Sequence, residues 1–234
     1  MSLEPLHAWT LDPEDAIRVQ ERLRERLGVA GVGRRVCAGG GADGALAGLR
    51  ARAAIVVLRY PDLAPLAAVT ADAPLVFPYV PGLLAFREGP ALLAAWEKLP
   101  LRPDVLMFDG QGIAHPRGLG IASQMGLWLR TPTIGVAKSR LYGRHAAVGP
   151  RFGDRAELRD EHDPERIIGA ALRTRAKANP LYISPGHLMD LGRALELVLA
   201  CCRGYRLPET TRWAHKVGAG APLPVEAGAQ ARLL

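Results

Sequence analysis

The chain has 234 residues, 49% of them hydrophobic, which supplies a substantial core and, by length, favours a single domain. Thirty Lys and Arg against 23 Asp and Glu give a formal charge of +7, so a polyanionic partner fits, although a basic surface alone also serves solubility. There is neither a long apolar run nor a basic, apolar leader, and Cys37, Cys201 and Cys202 lack zinc spacing, so a membrane span, a signal peptide and a zinc site are not expected, and a cytoplasmic protein with reduced cysteines is.

The first predicted element is a helix in which Asp12 caps, Pro13 occupies the first turn, Glu14 and Asp15 complement the dipole, and Val19, Leu23 and Leu27 form the apolar stripe before Gly28. Apolar runs at 53–58, 66–69 and 105–108 read as buried strands. A helix is expected from about Pro90, burying Leu92, Leu93, Trp96 and Leu99. Another carries Leu119, Ile121, Met125 and Leu127 or Trp128, ahead of a strand at 133–137. The charged stretch 151–166 reads as exposed, strands follow at 167–174 and 181–184, and Ser184-Pro185-Gly186-His187 is expected to open a helix reaching about Cys202. Strands first, then helices alternating with strands, indicate an α/β fold with a mixed β-sheet flanked by helices over 1–215. Residues 216–234, rich in Ala, Gly and Pro, read as a flexible tail.

The block Phe108-Asp109-Gly110-Gln111-Gly112, followed by His115-Pro116-Arg117, places a carboxylate at the end of a buried strand with room for a metal and a phosphate. The alternative is an Asp that only opens a turn. His115 and Arg117 add two candidate phosphate donors. Upstream, two prolines bracket an aromatic ring in Pro78-Tyr79-Val80-Pro81, a stiff turn suited to wedging bases apart, or simply a rigid core turn. Glu88 either ligates a hard cation or complements the following helix.

A third acid is offered by Asp43, in Gly39-Gly40-Gly41-Ala42-Asp43-Gly44. The same run has GxGxxG spacing, with Asp62 following 18 residues after Gly44, but only eight residues separate Gly44 from the strand at 53, too few for a phosphate-binding helix. Lys138, after the strand at 133–137, can neutralise a phosphoryl group or stand solvated. His215 alone is uninformative, and His187 fits a helix start better than a ligand.

Taken in order, Pro78 to Glu88, Asp109 to Arg117, Gly135 to Gly143 and Ser184 to His187 resemble the endonuclease V family over about residues 10–215. The resemblance implies a ribonuclease H-like fold and a Mg²⁺ site, open to Mn²⁺ as a substitute, built from Asp109, Glu88 and Asp43, with His215 as a further candidate ligand. It also implies a monomer that hydrolyses the second phosphodiester 3′ to hypoxanthine in DNA, with inosine in single strands or RNA as further candidate substrates, leaving 3′-hydroxyl and 5′-phosphate ends. Pro78, Tyr79, Val80 and Pro81 would be the wedge. Gly82, Leu84, Gly110, Gly120 and Ile121 would line the pocket of an everted base, while Lys138 and His115 stabilise the phosphate and Arg87, Arg117 and Ser139 meet the backbone. Two departures stand out. The family's β-branched strand with its acid is replaced by the glycine run, where either Gly41 or Asp43 occupies the acidic position. Ala122-Ser123-Gln124 stands where Ala-Ser-His is usual. If the first carboxylate is displaced, the alternative is a relative that binds lesions and cleaves poorly.

Overall fold

In the computed structural model, residues 4–9, 12–28, 31, 33 and 35–223 are described. Among these residues, eight strands form one sheet in the order β3-β2-β1-β4-β5-β8-β7-β6. The strands are β1 (Ala38–Ala47), β2 (Arg50–Arg59), β3 (Pro65–Pro74), β4 (Val105–Phe108), β5 (Thr133–Ala137), β6 (Arg155–Arg159), β7 (Ile167–Leu172) and β8 (Leu181–Pro185). The first three form an antiparallel meander, β1, β4 and β5 run parallel, and β8, β7 and β6 return antiparallel. The expected mixed sheet flanked by helices is therefore present.

The described residues also form five helices, α1 (Pro13–Arg24), α2 (Leu84–Lys98), α3 (Ile121–Leu129), α4 (Leu191–Ala200) and α5 (Glu209–Gly218), of which α2, α3, α4 and α5 pack on the sheet. The run Ala53–Leu58 has no polar face because both faces of β2 are covered. Ala53, Ile55 and Val57 pack with α2 and α3, while Ala54, Val56 and Leu58 pack with α4 and α5. The same alternation in β4 sends Leu106 and Phe108 one way and Val105 and Met107 the other.

Several expected boundaries move. The glycine run is a strand through its whole length, which removes the phosphate-loop reading. Its ladders to β2 and β4 hold it as a strand, and its glycines admit the covering helix: a Cβ at Gly41 would lie 2.1 Å from the Thr210 carbonyl oxygen of α5. α2 begins at Leu84, so Pro90 lies inside the helix and Glu88 in its second turn, not ahead of it. The Ser184–His187 segment closes β8, and α4 starts later, capped by Asp190, whose carboxylate accepts from the Arg193 amide. The 151–166 stretch contains β6, and α5 carries regular structure past residue 215 to Gly218. The remainder of the tail, 224–234, lies outside the described residues. Asp12 caps α1 as expected, accepting from Glu14 and Asp15, but its buried stripe is Ala16, Gln20 and Leu23.

Candidate active site

The parallel pairing of β1 with β4 matches Gly41 to Met107 and Ala42 to Phe108, and the Asp109 amide extends the ladder by donating to the Ala42 carbonyl at 3.1 Å. Asp43, midway along β1, and Asp109, just past the end of β4, thus stand side by side where the parallel pairing of the two strands stops. The register places Asp43, not Gly41, next to Asp109. Gly41, two residues back, has α5 backbone where a side chain would stand. From the other side of the sheet, α2 brings Glu88 onto Gly44, where an added Cβ would lie 2.2 Å from Glu88 Oε2. The glycine at 44 leaves room for that carboxylate.

The three acids feel one another. Burial, then the charges of Asp43 and Asp109, raises the Glu88 carboxyl from the usual 4.5 to about 7. Burial and the charge of Asp109 raise Asp43, opposed by a hydrogen bond from His215 and by the charge of Lys138. His215 Nδ1 lies 2.8 Å from Asp43 Oδ2, and the Lys138 ammonium ion-pairs with Asp109. With the side chains so paired, no group of three His, Cys, Asp or Glu among the described residues is gathered closely enough to hold a metal as it stands. The donor chemistry nevertheless fits a hard divalent cation: three carboxylates lie together where β1 and β4 stop pairing, and their mutual repulsion is what such an ion relieves.

Beside the carboxylates opens a cavity of about 320 Å³, lined among others by Val80, Gly82, Leu84, Asp109, Gly110, Gly120, Ile121 and Lys138. Its size lies within the range of small-ligand pockets. All the residues expected around an everted base thus share one cavity with one carboxylate and the lysine. Tyr79 and Gln111 line it too. Tyr79 is 71% exposed on a segment whose root is pinned by Arg87, which donates to the Phe77 carbonyl at 3.0 Å. Arg87 therefore supports the segment from behind. Gln111 bridges two rims by donating to the Ser139 carbonyl at 2.9 Å. The loop carrying Asp109 is tied to β8: the Gly112 amide donates to Ser184 Oγ and the Ile113 amide to the Pro185 carbonyl, each at 2.8 Å.

His115 and Arg117 are placed differently from free phosphate donors. His115 is 3% exposed, its Nε2–H donates to the Gly82 carbonyl at 2.8 Å, and its Nδ1 accepts the Arg117 amide at 3.1 Å. Burial lowers its pKa to about 4, so the ring is neutral at neutral pH. The Arg117 guanidinium also donates to the Gly82 carbonyl, at 3.0 Å, and to Gln20 Oε1 at 2.5 Å. Both side chains thus spend donors on the Gly82 carbonyl. Gln20, on α1, escaped the sequence reading; the available signal was a polar residue four after Ala16 and three before Leu23, on the helix's buried stripe. Gln124 lies outside the cavity. It is fully buried in α3, with Nε2 3.1 Å from His7 Nε2, beside Trp128, whose indole N–H donates to the same nitrogen.

Adjacent carboxylates on paired parallel strands, a third acid from a covering helix, a lysine on one of them and a neighbouring cavity define a nucleic-acid-hydrolysing enzyme of the ribonuclease H-like fold. The Endonuclease V sequence family matches residues 22–216. An Endonuclease V from Methanothrix thermoacetophila is 46% identical over 215 residues, covering 92% of this chain and 94% of the relative. The crystal structure of the Streptomyces avermitilis Endonuclease V superposes with a TM-score of 0.84 at 39% identity, covering 91% of this chain and 93% of the other. That of the Ciona intestinalis Endonuclease V, in complex with a 24mer DNA containing an inosine followed by a ribo-adenosine, gives 0.74 at 27% identity, covering 88% and 95%. The chain belongs to the endonuclease V family. Among the described residues, no helix is long and apolar enough to cross a membrane.

Proposed function

We propose that this chain is a Mg²⁺-dependent endonuclease that recognises hypoxanthine in DNA and hydrolyses the second phosphodiester 3′ to it, leaving 3′-hydroxyl and 5′-phosphate ends. The observation that carries the reading is the placement of Asp43 beside Asp109 by the β1–β4 register, with Glu88 closing on Gly44. That arrangement favours a cutting enzyme over a relative that only binds lesions, because the glycine-rich strand retains its carboxylate. The inosine-containing DNA held by the Ciona relative supports the substrate class.

Asp43, Glu88 and Asp109 would hold the cation, which when bound supplies a Lewis acid for the phosphate and lowers the pKa of water. The chain's own groups do the rest. The Lys138 ammonium, half-exposed at the cavity rim, offsets charge developing on the phosphate, and Asp109 orients it. The Asp43 carboxylate, aligned by His215, can accept a proton from the attacking water. Pro78, Tyr79, Val80 and Pro81 wedge into the stack, and the Gly82, Leu84, Gly110, Gly120 and Ile121 backbone surrounds the everted base. His115 and Arg117 serve the site by fixing that backbone. The monomer, on this reading, contains the complete site.

The test is incubation of end-labelled duplexes, with and without one inosine, in Mg²⁺ and in chelator. Nicking one nucleotide past the lesion, only with inosine and Mg²⁺, is expected. Binding without nicking in any divalent cation would leave the chain a lesion binder.

A further inference from the structure

The Gly82 carbonyl accepts three hydrogen bonds, from His115 Nε2 at 2.8 Å, Gln20 Nε2 at 2.9 Å and Arg117 Nη2 at 3.0 Å. Three donors on one carbonyl exceed what its two lone pairs ordinarily take, so this atom is held more firmly than folding requires. Gly82 sits at φ +81°, and a Cβ there would lie 2.8 Å from Arg117 Nη2 and 3.1 Å from His115 Nε2. A side chain there would be strained and would press on both donors.

Gln20 organises this cluster. Its side-chain amide is 1% exposed and fully used: Nε2 donates to Gly82 and, at 3.1 Å, to the Leu119 carbonyl, while Oε1 accepts from Arg117 Nε. Because both carbonyls can only accept, the amide has one orientation. The contacts span 62 and 99 residues of sequence and join three separate parts of the chain. Those parts are α1, the foot of the Pro78–Pro81 segment, and the residue preceding Gly120 and Ile121 on the cavity wall. Its neighbours Ala16 and Leu23 make only apolar contacts, with Phe77, Leu83 and Phe86 or with Leu119 and Leu127. An apolar residue at position 20 would continue that packing, so the amide is present for its hydrogen bonds.

We propose that Gln20 is a positioning residue for base recognition, locking the foot of the wedge to the far wall of the cavity so that the two keep a fixed separation. The inference rests on the recognition function proposed above. Without the amide, Gly82 keeps two donors, Leu119 loses its partner and Arg117 Nε is left unpaired, so the wedge can drift from the wall. A displaced wedge weakens discrimination more than general nucleic-acid binding, which depends on phosphate contacts.

The test is Gln20→Met, which keeps length and apolar bulk but removes every hydrogen bond, compared with Gln20→Glu, which retains the Arg117 partner and presents oxygen to both carbonyls. Two quantities are read on each full-length variant: the ratio of affinities for inosine and undamaged duplexes, and amide hydrogen exchange across 78–84. For Gln20→Met the ratio is expected to fall about tenfold, with affinity for undamaged duplex unchanged, and exchange at 78–84 to rise. Gln20→Glu is expected to be at least as impaired. An unchanged ratio, or equal losses on both duplexes, overturns the proposal, as does unaltered exchange. If the wild-type chain itself shows no preference for inosine, the recognition reading fails, and the exchange measurement alone decides whether Gln20 holds the wedge.

Discussion

Two groups of polar residues meet at one cavity, Gln20 and His115 lining it from one and Asp109 and Lys138 from the other, and are built in opposite ways. Around Gly82, Gln20, His115 and Arg117 satisfy one another, and the imidazole is neutral. Where β1 and β4 stop pairing, burial and the neighbouring carboxylates raise the proton affinities of Glu88 and Asp43, with Lys138 and His215 as partial relief at Asp43. The first is a preorganised scaffold that needs nothing added; the second stores repulsion that a cation relieves. Recognition and chemistry should therefore separate under mutation, and each variant below tests that separation.

The largest effect is expected at the carboxylates. Asp109→Ala and Asp43→Asn should each lower nicking of an inosine duplex by about a thousandfold or more, with the affinity ratio for inosine over undamaged duplex preserved. Single-turnover nicking and a binding titration make the comparison. Full activity in Asp43→Asn would remove it from the site despite its register beside Asp109. Loss of discrimination in Asp109→Ala would show that the two regions are one.

Asp109 was readable because an acid followed by glycines ends an apolar run, whereas Asp43 was hidden in a segment with no strand character. Glycine has poor strand propensity and no side chain to pattern; pairing with β2 and β4 holds β1 as a strand, and the need for glycine at 41 comes from α5, about 170 positions away. The start of α2 was misread for a related reason. Pro90 normally marks a first turn, yet Ala85, Phe86 and Gly89 are buried ahead of it, and that packing outweighs the local rule. The ordered motif blocks made the site residues visible as a set. They could not show that His115 and Arg117 face Gly82, because hydrogen-bond partners 33 and 35 residues away leave no local pattern.

Next in size is Lys138. Removing its ammonium with Lys138→Met should lower nicking about a hundredfold while leaving the inosine affinity ratio intact, since the cation acts on phosphate charge rather than on the base. A variant that binds inosine worse but cuts bound substrate normally would assign Lys138 to recognition. The kcat and KM values distinguish these outcomes.

The stored repulsion has a pH signature. With Glu88 raised from 4.5 to about 7, the folded state binds this proton more tightly than the unfolded chain does. That stabilisation is complete below about pH 4.5 and is lost as pH rises through about 7, with Asp43 adding the same sign. In chelator, the melting temperature should decline across this window. Glu88→Gln should flatten the decline and stabilise the metal-free protein at pH 8 by about 2 kcal/mol. Mg²⁺ should raise the melting temperature of the wild type at pH 8 and have little effect on the variant. A parallel decline in both proteins would place the repulsion elsewhere.

The smallest effect is expected at Tyr79, where the comparison is finest. The ring is 71% exposed, so Tyr79→Ala should leave hydrogen exchange at 78–84 unchanged, unlike Gln20→Met. What it should lose is the wedge. Everting a base from a duplex costs a few kcal/mol, whereas a single strand presents the base with little stacking to break. Nicking of inosine in duplex is therefore expected to fall about tenfold, and nicking of inosine in a single strand by less than about twofold. Equal losses on both substrates would make Tyr79 part of the pocket wall. The rigid scaffold would then extend past Pro81 to the exposed tip, and the boundary between the held region and the inserted one would move with it.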